Sequence, residues 1–162
     1  MHAIELLQTQ HRHIEGLFDG LSRANGGRPN KSNLLDEIAQ ALAIHAAIEE
    51  RHLYPLTMHA QVIIQSVREH LAIASALTKL VRLHRSGRRS ETKLALLRAR
   101  VLLHVTLEEI YLFPEVKERL REPELEALGQ EMLSTMRAVG KGAASVARPE
   151  TDRDAASSVA RR

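Results

Sequence analysis

Two stretches of the chain, residues 45–55 and 104–114, repeat one pattern of polar and apolar residues at an offset of 59 positions. Each stretch has a His, a Glu four residues later, a second Glu directly after it, and a Pro at its end. The matching pairs within the stretches are His45/His104, Glu49/Glu108, Glu50/Glu109, Leu53/Leu112, Tyr54/Phe113 and Pro55/Pro114. Outside the stretches, the same offset pairs His11 with His70 and Ile14 with Ile73. So many matches indicate an internal duplication, in which each half contributes one lone His and one His-x-x-x-Glu pair.

At 162 residues the chain has the length of a single domain with a hydrophobic core of its own. It contains no cysteine, which excludes disulfides, thiolate metal sites and cysteine nucleophiles. The first residues lack the apolar segment of a secretory signal, and no run reaches the ~18 apolar residues of a membrane span. We therefore expect a soluble cytoplasmic protein without a membrane partner.

The formal charge of +3 is concentrated near the C-terminus, because residues 141–162 alone carry a net charge of +2. That segment is rich in Gly, Ala, Ser and mixed charges, so we predict a disordered basic tail after a helical domain spanning residues 1–140. No pattern identifies a protein partner for the tail. The chain has only four aromatic residues, too few to stack on nucleic-acid bases, so we expect no nucleic-acid partner.

Apolar residues recur with a period near 3.6 before the tail, which predicts amphipathic helices. The predicted helices cover about residues 4–21, 33–54, 61–85, 91–121 and 123–139. A loop is predicted at residues 25–33, Pro55 is expected to end or kink the second helix, and Ser90 is a predicted N-cap. These elements indicate an all-α fold, an antiparallel up-down four-helix bundle with an additional C-terminal helix.

Six polar residues occupy positions in the apolar stripes where Leu or Ile is expected. They lie on four different predicted helices and comprise His11, His45, Glu49, His70, His104 and Glu108. In a bundle such positions face the core, and burying unpaired carboxylates there costs a large part of a domain's net stability. A pair of metal ions, bound by two imidazoles each and bridged by the two carboxylates, would offset that cost.

The spacing within each His-x-x-x-Glu pair suits metal binding, because residues four apart lie on one face of a helix. Imidazole and carboxylate ligands favour borderline metals such as iron, zinc or manganese. A single such pair is more often a surface ion pair, and a lone His on an apolar stripe is more often a hydrogen-bonded core residue. Two pairs and two lone histidines on four helices, related by one offset, favour a metal site over these simpler interpretations.

The chain resembles the hemerythrin-like family, also called the HHE cation-binding domain, over about residues 5–120. The resemblance rests on the segment 11–18, on Glu69-His70, and on the two His-x-x-x-Glu-Glu motifs with the aromatic-Pro pairs that follow them. Members of this family are four-helix bundles that hold a non-haem di-iron centre binding O2 or related small ligands. The resemblance implies these ligands: His11 and His45 on one iron, His70 and His104 on the other, and Glu49 and Glu108 as bridges.

The cofactor implied by the resemblance is two iron ions, Fe2+ or Fe3+, bridged by an oxo or hydroxo group, with manganese or zinc as alternatives. Respiratory hemerythrins have a further His one turn after the third-helix ligand, where this chain has Ala74. Their last carboxylate follows its His by five residues, which here is Glu109. We prefer Glu108 because it keeps the internal symmetry, with Glu109 as the alternative bridge. The missing His leaves a coordination position for water or substrate, which favours peroxide chemistry or sensing over O2 carriage.

A second interpretation starts from Glu49-x-x-His52, which matches the Glu-x-x-His signature of ferritin-like di-iron proteins. The other half has Tyr111 where the matching His is needed, which counts against this interpretation. His52 and Tyr111 could orient a bridging carboxylate, or the tyrosine could be redox-active, but we favour positions at the boundary between packed helices for both. We expect His13 to face away from the site, and His84 to lie too far along its helix to reach the metal.

The resulting hypothesis is a di-iron protein that binds or senses O2, peroxide or nitric oxide, with such a small ligand as its partner. One alternative is a di-iron enzyme with peroxidase, catalase-like or oxygenase activity that uses the position opened by Ala74. Another is an iron store or a metal-stabilised interaction domain. The chain has no Ser-His-Asp set, phosphate loop or dinucleotide fingerprint, which excludes hydrolase and nucleotide-binding functions.

Overall fold

The computed structural model describes residues 1–24, 28–88 and 90–146. Within these ranges the chain forms helices joined by short turns, with no β-strand and no helix long and apolar enough to cross a membrane. The helices are α1 (Ala3–Arg23), α2 (Arg28–Ile48), α3 (Ala60–Arg85), α4 (Glu91–Leu107), α5 (Phe113–Arg119) and α6 (Glu122–Val146). Consecutive helices from α1 to α4 pack against one another, and α6 packs on α1 and α2. The predicted all-α bundle with an additional C-terminal helix is confirmed.

The second and fourth bundle helices each widen into a π-turn at the same point of the repeat, over Glu49–Leu53 and Glu108–Leu112. In both, the residue after the turn donates its backbone N–H to the carbonyl of the glutamate at its start. Pro55 and Pro114 follow directly, and a proline disfavours a regular α-helix because it donates no backbone hydrogen bond and crowds the preceding turn. Both predicted bridging glutamates therefore begin a wide turn, a geometry that is frequent at functional sites.

Several helix boundaries differ from the sequence prediction. Helix α2 begins at Arg28, so part of the predicted loop is helical, because proline is compatible with the first turn of a helix. Residues 25–27 of that loop lie outside the described residues. The π-turn divides the predicted fourth helix into α4 and α5. Helix α6 continues to Val146, past the predicted domain end at residue 140, and residues 147–162 of the predicted tail lie outside the described part.

The turn between α3 and α4 is fixed by hydrogen bonds at both helix ends. The hydroxyl of Ser90 accepts a hydrogen bond from the backbone N–H of Lys93, which confirms the predicted N-cap. Gly87 has a φ of 80°, a left-handed conformation that favours glycine after a helix. The next N–H, of Arg88, donates to the carbonyl of Leu83 at 2.9 Å. This turn reverses the chain and lets α4 pack back along α3.

Apolar side chains form two buried clusters, which occupy different stretches of the bundle helices. Cluster A includes Ile4, Leu7, Ile48, Leu53, Leu112, Phe113 and Met132. Cluster B includes Ile14, Phe18, Ile38, Leu42, Ile73, Leu77 and Val101. Along the chain His45 and Glu108 each lie between a member of one cluster and a member of the other, as His11 does between Leu7 and Ile14. The bundle therefore encloses a polar layer between two apolar ones.

Candidate metal centre

The six polar residues predicted from the sequence meet in this layer. Each bundle helix contributes one histidine, and each π-turn begins with one glutamate. Five of the six residues are at most 2% exposed, namely His11, His45, Glu49, His104 and Glu108. The side chain of the sixth, His70, is 8% exposed. The duplication therefore brings its two halves together around a buried set of four imidazoles and two carboxylates.

The six side chains form two overlapping groups, and in each group the possible ligand atoms lie within 4.8 Å of one another. One group is His11, His45, Glu49 and Glu108, and the other is His70, His104, Glu49 and Glu108. Both glutamates belong to both groups. This division matches the ligand assignment that the family resemblance implies, and Glu109 is in neither group.

The inward-facing atoms of this layer lie close together, but several of them have no hydrogen-bond partner. The Nε2 atoms of His11 and His45, Oε1 of Glu49 and Oε2 of Glu108 are buried without a hydrogen-bond partner. His45 Nε2 nevertheless lies 3.1 Å from Glu49 Oε1, without the alignment of a hydrogen bond. Ligands bound at about 2.0–2.2 Å to one ion naturally lie a few ångströms apart. The residues present therefore fit metal ions, which would satisfy the buried atoms.

The outward-facing Nδ1 atoms of three histidines have hydrogen-bond partners. Glu109 Oε1 lies 2.8 Å from Nδ1 of His11, and Glu50 Oε1 lies 2.7 Å from Nδ1 of His70. In the same way, the amide oxygen of Gln10 lies 3.1 Å from Nδ1 of His45. Partners of this kind hold the proton on Nδ1 and leave Nε2 available as a ligand atom. Glu109 is therefore placed behind the His11 ring, where it orients that ring, and Glu108 is placed between the rings.

Glu50 and Glu109 are equivalent in the repeat, and each supports a histidine of the opposite half. Glu109 also accepts hydrogen bonds from the guanidinium of Arg12 at 3.0 and 3.1 Å. Although burial opposes its charge, the hydrogen bond and charge of His11 together with Arg12 lower the pKa of Glu109. This carboxylate therefore remains an acceptor for His11 at neutral pH.

Burial opposes a charge on each ligand-type group, and the neighbours decide which groups keep one. Burial lowers the pKa of His11, but the nearby carboxylates of Glu108 and Glu49 outweigh it and raise that pKa to about 10. At His45 burial prevails and lowers the pKa to about 3. Burial and the charge of Glu49 raise the pKa of Glu108 to about 7. The metal-free layer therefore carries protons at neutral pH that a bound cation would displace.

Comparison with known proteins agrees with this geometry. The sequence profile of the Hemerythrin HHE cation binding domain matches residues 2–116. The chain belongs to this family. A solved structure of a Hemerythrin HHE cation binding domain-containing protein from Mycobacterium kansasii is 29% identical, covers 93% of this chain and 94% of its own, and superposes with a TM-score of 0.78. No curated protein sequence matches the chain.

In this HHE domain a tyrosine that sequence reasoning missed lies within the candidate metal centre. The hydroxyl of Tyr54 donates a hydrogen bond of 2.6 Å to Glu108 Oε1, and it lies 3.3 Å from Nε2 of His70. Burial, with the charges of Glu49 and Glu108, raises the pKa of Tyr54, so the hydroxyl keeps its proton while the layer holds no cation. The repeat contained a signal for this residue, because its equivalent is Phe113, which has no hydroxyl.

His52 and Tyr111 are equivalent positions of the duplication that differ between its halves. Both lie away from the candidate ligands. His52 Nε2 lies 2.8 Å from the hydroxyl of Thr135, so this residue joins the bundle to α6. Tyr111 is 47% exposed, and its ring packs edge-on near His59. His52 therefore holds the helix-boundary position that we favoured, whereas Tyr111 is on the surface and a redox role near the metal is not supported. This geometry also counts against the ferritin-like interpretation.

The other histidines lie where the sequence predicted them. His13 is exposed on α1, on a different face from the buried His11. His84 is 8% exposed near the C-terminal end of α3, fourteen residues beyond His70. The least expected role is that of His2, whose Nδ1 accepts the backbone N–H groups of Ile4 and Glu5 and caps α1. All three histidines lie outside the candidate ligand groups.

A cavity of about 410 Å3 adjoins the candidate centre of this HHE domain. It is lined at one end by His45, His70 and His104, and its walls are formed by α2 and α3. Ala74, which replaces the additional histidine of respiratory hemerythrins, is among the lining residues. The small side chain at this position therefore leaves space beside the histidines, as the sequence predicted.

Proposed function

We propose that this HHE domain is a non-haem di-iron protein that binds or senses a small ligand: O2, peroxide or nitric oxide. The observation that carries the proposal is the pair of overlapping ligand groups that share Glu49 and Glu108. Two bridging carboxylates and two imidazoles for each ion form a nitrogen- and oxygen-rich ligand set that suits iron, with manganese or zinc as competitors. Bound iron would supply redox chemistry and open coordination positions to such a ligand.

The chain's own residues would hold and orient the ions. Nε2 of each histidine faces the shared carboxylates, and the hydrogen bonds of Gln10, Glu50 and Glu109 fix three of the rings from behind. These partners keep Nδ1 protonated and limit rotation of the imidazoles. Clusters A and B close the layer along the bundle axis and limit the access of water. The centre is therefore preorganised and largely shielded from solvent.

Tyr54 would hold a proton at the centre. Its hydroxyl donates to Glu108, so it orients one bridging carboxylate and sits within reach of His70. A phenol in this place can supply a proton to an anionic ligand beside it, because it is already hydrogen-bonded to the carboxylate network. The hydroxyl is also close enough to the ligand groups to become a ligand itself once a cation lowers its pKa.

The cavity beside Ala74 favours a second candidate function, a di-iron enzyme with peroxidase or catalase-like activity. Turnover requires a path for substrate and product, and the cavity leads between α2 and α3 to three of the histidines. A sensor would need only access for a small ligand. An iron store has less support, because two overlapping ligand groups provide for two ions in the described residues and show no route to a larger mineral.

Metal analysis combined with an absorption spectrum, recorded before and after addition of O2 or peroxide, tests the proposal. About two irons per chain are expected, with near-ultraviolet bands that change when the ligand is added. Purified folded protein that cannot be loaded with iron would refute it. Steady peroxide consumption favours the enzyme, whereas bleaching after a few equivalents favours a binder or sensor.

Variants at two glutamates connect this result to the buried layer. Glu49→Ala removes a carboxylate shared by both ligand groups and should abolish binding of at least one iron. Glu126→Ala removes an exposed carboxylate of α6 and should leave the iron content unchanged. Equal iron content in the two variants would show that the metal binds elsewhere.

A further inference from the structure

The cavity beside the candidate centre results from a difference between the two halves of the duplication. It lies in the seam between α2 and α3. The offset of 59 positions relates this seam to the one between α4 and α1, because α2 corresponds to α4 and α1 to α3. The two seams can therefore be compared position by position, and they are filled differently.

Helix α2 and its equivalent α4 each carry a His-x-x-x-Glu motif. In the α2–α3 seam, α2 has alanines at positions where α4 has larger side chains. Ala39, Ala43 and Ala46 line the cavity. Their equivalents in the other half are Arg98, Leu102 and Val105. Val105 is buried, with 4% exposure, and belongs to cluster B. The cavity therefore lies beside small residues of α2 whose equivalents on α4 have larger side chains.

The facing helix shows the same difference. Thr78 lines the cavity on α3, and its equivalent on α1 is Asp19. Asp19 forms an ion pair with Arg98, the equivalent of Ala39, and this pair bridges α1 and α4. Neither member of that ion pair is present in the α2–α3 seam, where Ala39 and Thr78 stand. This seam is therefore open to solvent, and Ala43, Ala74 and Thr78 along it are exposed.

The chemistry along the cavity changes from one end to the other. His45, His70 and His104 form the inner end, and apolar residues of α2 and α3 form most of the wall between the ends. Asp36, Arg82 and Arg85 line the outer end. Arg82 lies twelve residues after His70, which corresponds to roughly 18 Å along the helix. The cavity is therefore long, apolar along its wall and charged where it opens.

The charge at the outer end is positive. Arg85 Nη2 lies 3.2 Å from Asp36 Oδ1, so these two opposite charges are paired across the opening. Arg82 adds a second guanidinium at the same end, which leaves one positive charge in excess. Guanidinium groups bind carboxylates through two parallel hydrogen bonds. An anionic head group of an amphiphilic ligand would complement this end of the cavity.

The volume is much larger than a diatomic ligand or peroxide needs. A water molecule occupies roughly 30 Å3 of liquid, and a methylene group is of similar size, so 410 Å3 corresponds to roughly a dozen such groups. An apolar wall offers such waters few hydrogen-bond partners, whereas an alkyl chain gains by leaving water. Both size and wall chemistry therefore match a medium-length alkyl chain.

We propose that the α2–α3 cavity binds a medium-chain fatty-acid anion, with its carboxylate at Arg82 and Arg85 and its alkyl chain directed at the candidate metal centre. The proposal names the class of molecule that would approach the metal ions. As a statement about a substrate, it rests on the proposed metal function. Binding itself requires only the cavity. It therefore takes place in the metal-free and the iron-loaded full-length protein alike.

Isothermal titration of the full-length protein with dodecanoate, metal-free and iron-loaded, tests this proposal. We expect binding at one site per chain in both forms. Ala43→Leu introduces the residue of the filled seam and should weaken binding at least about tenfold, or 1.4 kcal/mol. Ala99→Leu makes the same change at an exposed position of α4 and should leave the affinity unchanged. No binding in either form, or equal affinity in the two variants, would overturn the proposal.

The head group is tested with arginine variants and an uncharged ligand. Arg82→Gln should weaken dodecanoate binding at least about tenfold, the usual size of a hydrogen bond to a charged group. Arg68→Gln, an exposed arginine of the same helix outside the cavity lining, is the matched control. Dodecanol should bind more weakly than dodecanoate. Equal binding of the alcohol and the acid would overturn the assignment of an anionic ligand.

Iron content separates this proposal from the metal function. Ala43→Leu should bind as much iron as the unmodified protein, because it fills the cavity without removing a ligand atom. If that variant loses iron, Ala39→Leu repeats the test one helical turn further from the histidines. Protein that binds dodecanoate but no iron would refute the metal function and leave the cavity assignment standing. Protein that binds iron but no dodecanoate would refute the cavity assignment and leave the metal function standing.

Discussion

The hydroxyl of Tyr54 links the two halves of the duplication, because Tyr54 belongs to the first half and its hydroxyl contacts Glu108 and lies close to His70, both of the second half. It is the donor to Glu108 Oε1 at 2.6 Å, within a layer where Glu108 Oε2 has no hydrogen-bond partner. In the equivalent place of the repeat Phe113 stacks on the ring of His11, as Tyr54 stacks on His70. The ring is therefore needed in both halves for packing, and the hydroxyl in one half for hydrogen bonding.

Tyr54→Phe removes that hydroxyl and keeps the ring. In metal-free protein at pH 8, where Glu108 is largely ionised, we expect the free energy of unfolding to decrease by about 1–3 kcal/mol, since a buried carboxylate loses its donor. Urea denaturation in the presence of a chelator measures this. The matched control is Tyr111→Phe, at a position 47% exposed, for which a change within about 0.5 kcal/mol is expected. Equal effects in the two variants would contradict the assigned role.

The six ligand-type residues could be predicted because each one interrupts an apolar stripe, and a stripe is a property of one helix. The hydrogen-bond partners could not be predicted in the same way. Glu109 supports His11 and Glu50 supports His70, and both pairings join different helices. Tyr54 was missed for the same reason, since a tyrosine on an apolar face is an ordinary core residue until the packing shows what its hydroxyl contacts.

Helix α6 lies on the side of the bundle formed by α1 and α2, against which it packs. Met132 is its most deeply buried residue, with 0% exposure, and it belongs to cluster A beside the metal layer. Gly129 permits close packing, because a Cβ there would lie 2.7 Å from the carbonyl oxygen of Met1. Thr135 adds the hydrogen bond to His52. The helix is therefore part of the core, although it contributes no ligand.

Met132→Ala leaves a void under α6. We expect the free energy of unfolding to decrease by about 2–5 kcal/mol, the usual range for such a truncation in a core. The iron content should stay unchanged, because the ligands belong to the other helices. Denaturant melts and metal analysis of one preparation measure both quantities. Met58→Ala, at a position 75% exposed, is the control, and a comparable loss of stability there would indicate that burial of Met132 is not the cause.

At the scale of elements, periodicity predicted the order of the helices, but it did not predict where they change shape or that the fourth is divided into α4 and α5. The π-turns at Glu49–Leu53 and Glu108–Leu112 each add one residue to a helical turn. An apolar pattern tolerates that addition, so no break is visible in the sequence. Only Pro55 and Pro114 marked the place, and a proline fits an end or a kink of a helix as well as a wide turn.

The whole molecule combines a near-symmetric centre with asymmetric surroundings. The duplication supplies equivalent histidines, glutamates and orienting carboxylates on both sides of the polar layer. The surroundings differ, because one seam is bridged by the Arg98–Asp19 pair while the other contains the cavity, and α6 packs on α1 and α2. The offset in the sequence predicted the symmetric part. The asymmetric part depends on which side chains face each other across helices, which one sequence does not show directly.

Stability of the whole fold should depend on the metal, because the bundle buries Glu49 and Glu108 together and gives each too few hydrogen-bond partners. A metal present at about 1,000 times its dissociation constant adds about 4 kcal/mol to the free energy of unfolding. For a chain of this length we then expect chelation to lower the melting temperature by about 8–16 °C. Circular dichroism melts with and without chelator measure this directly.

His45→Ala decides whether that difference comes from the candidate centre. The variant removes a ligand that is 1% exposed, so its melting temperature without chelator should be lower and its response to chelator smaller than in the unmodified protein. His13→Ala, at an exposed position, should retain the full response. Chelation that leaves the unmodified protein unchanged would show that the buried carboxylates are stabilised by protons and neighbouring imidazoles alone. The pKa of Glu108 is raised to about 7, so stabilisation by a proton instead of a metal ion is the physical alternative that the measurement has to exclude.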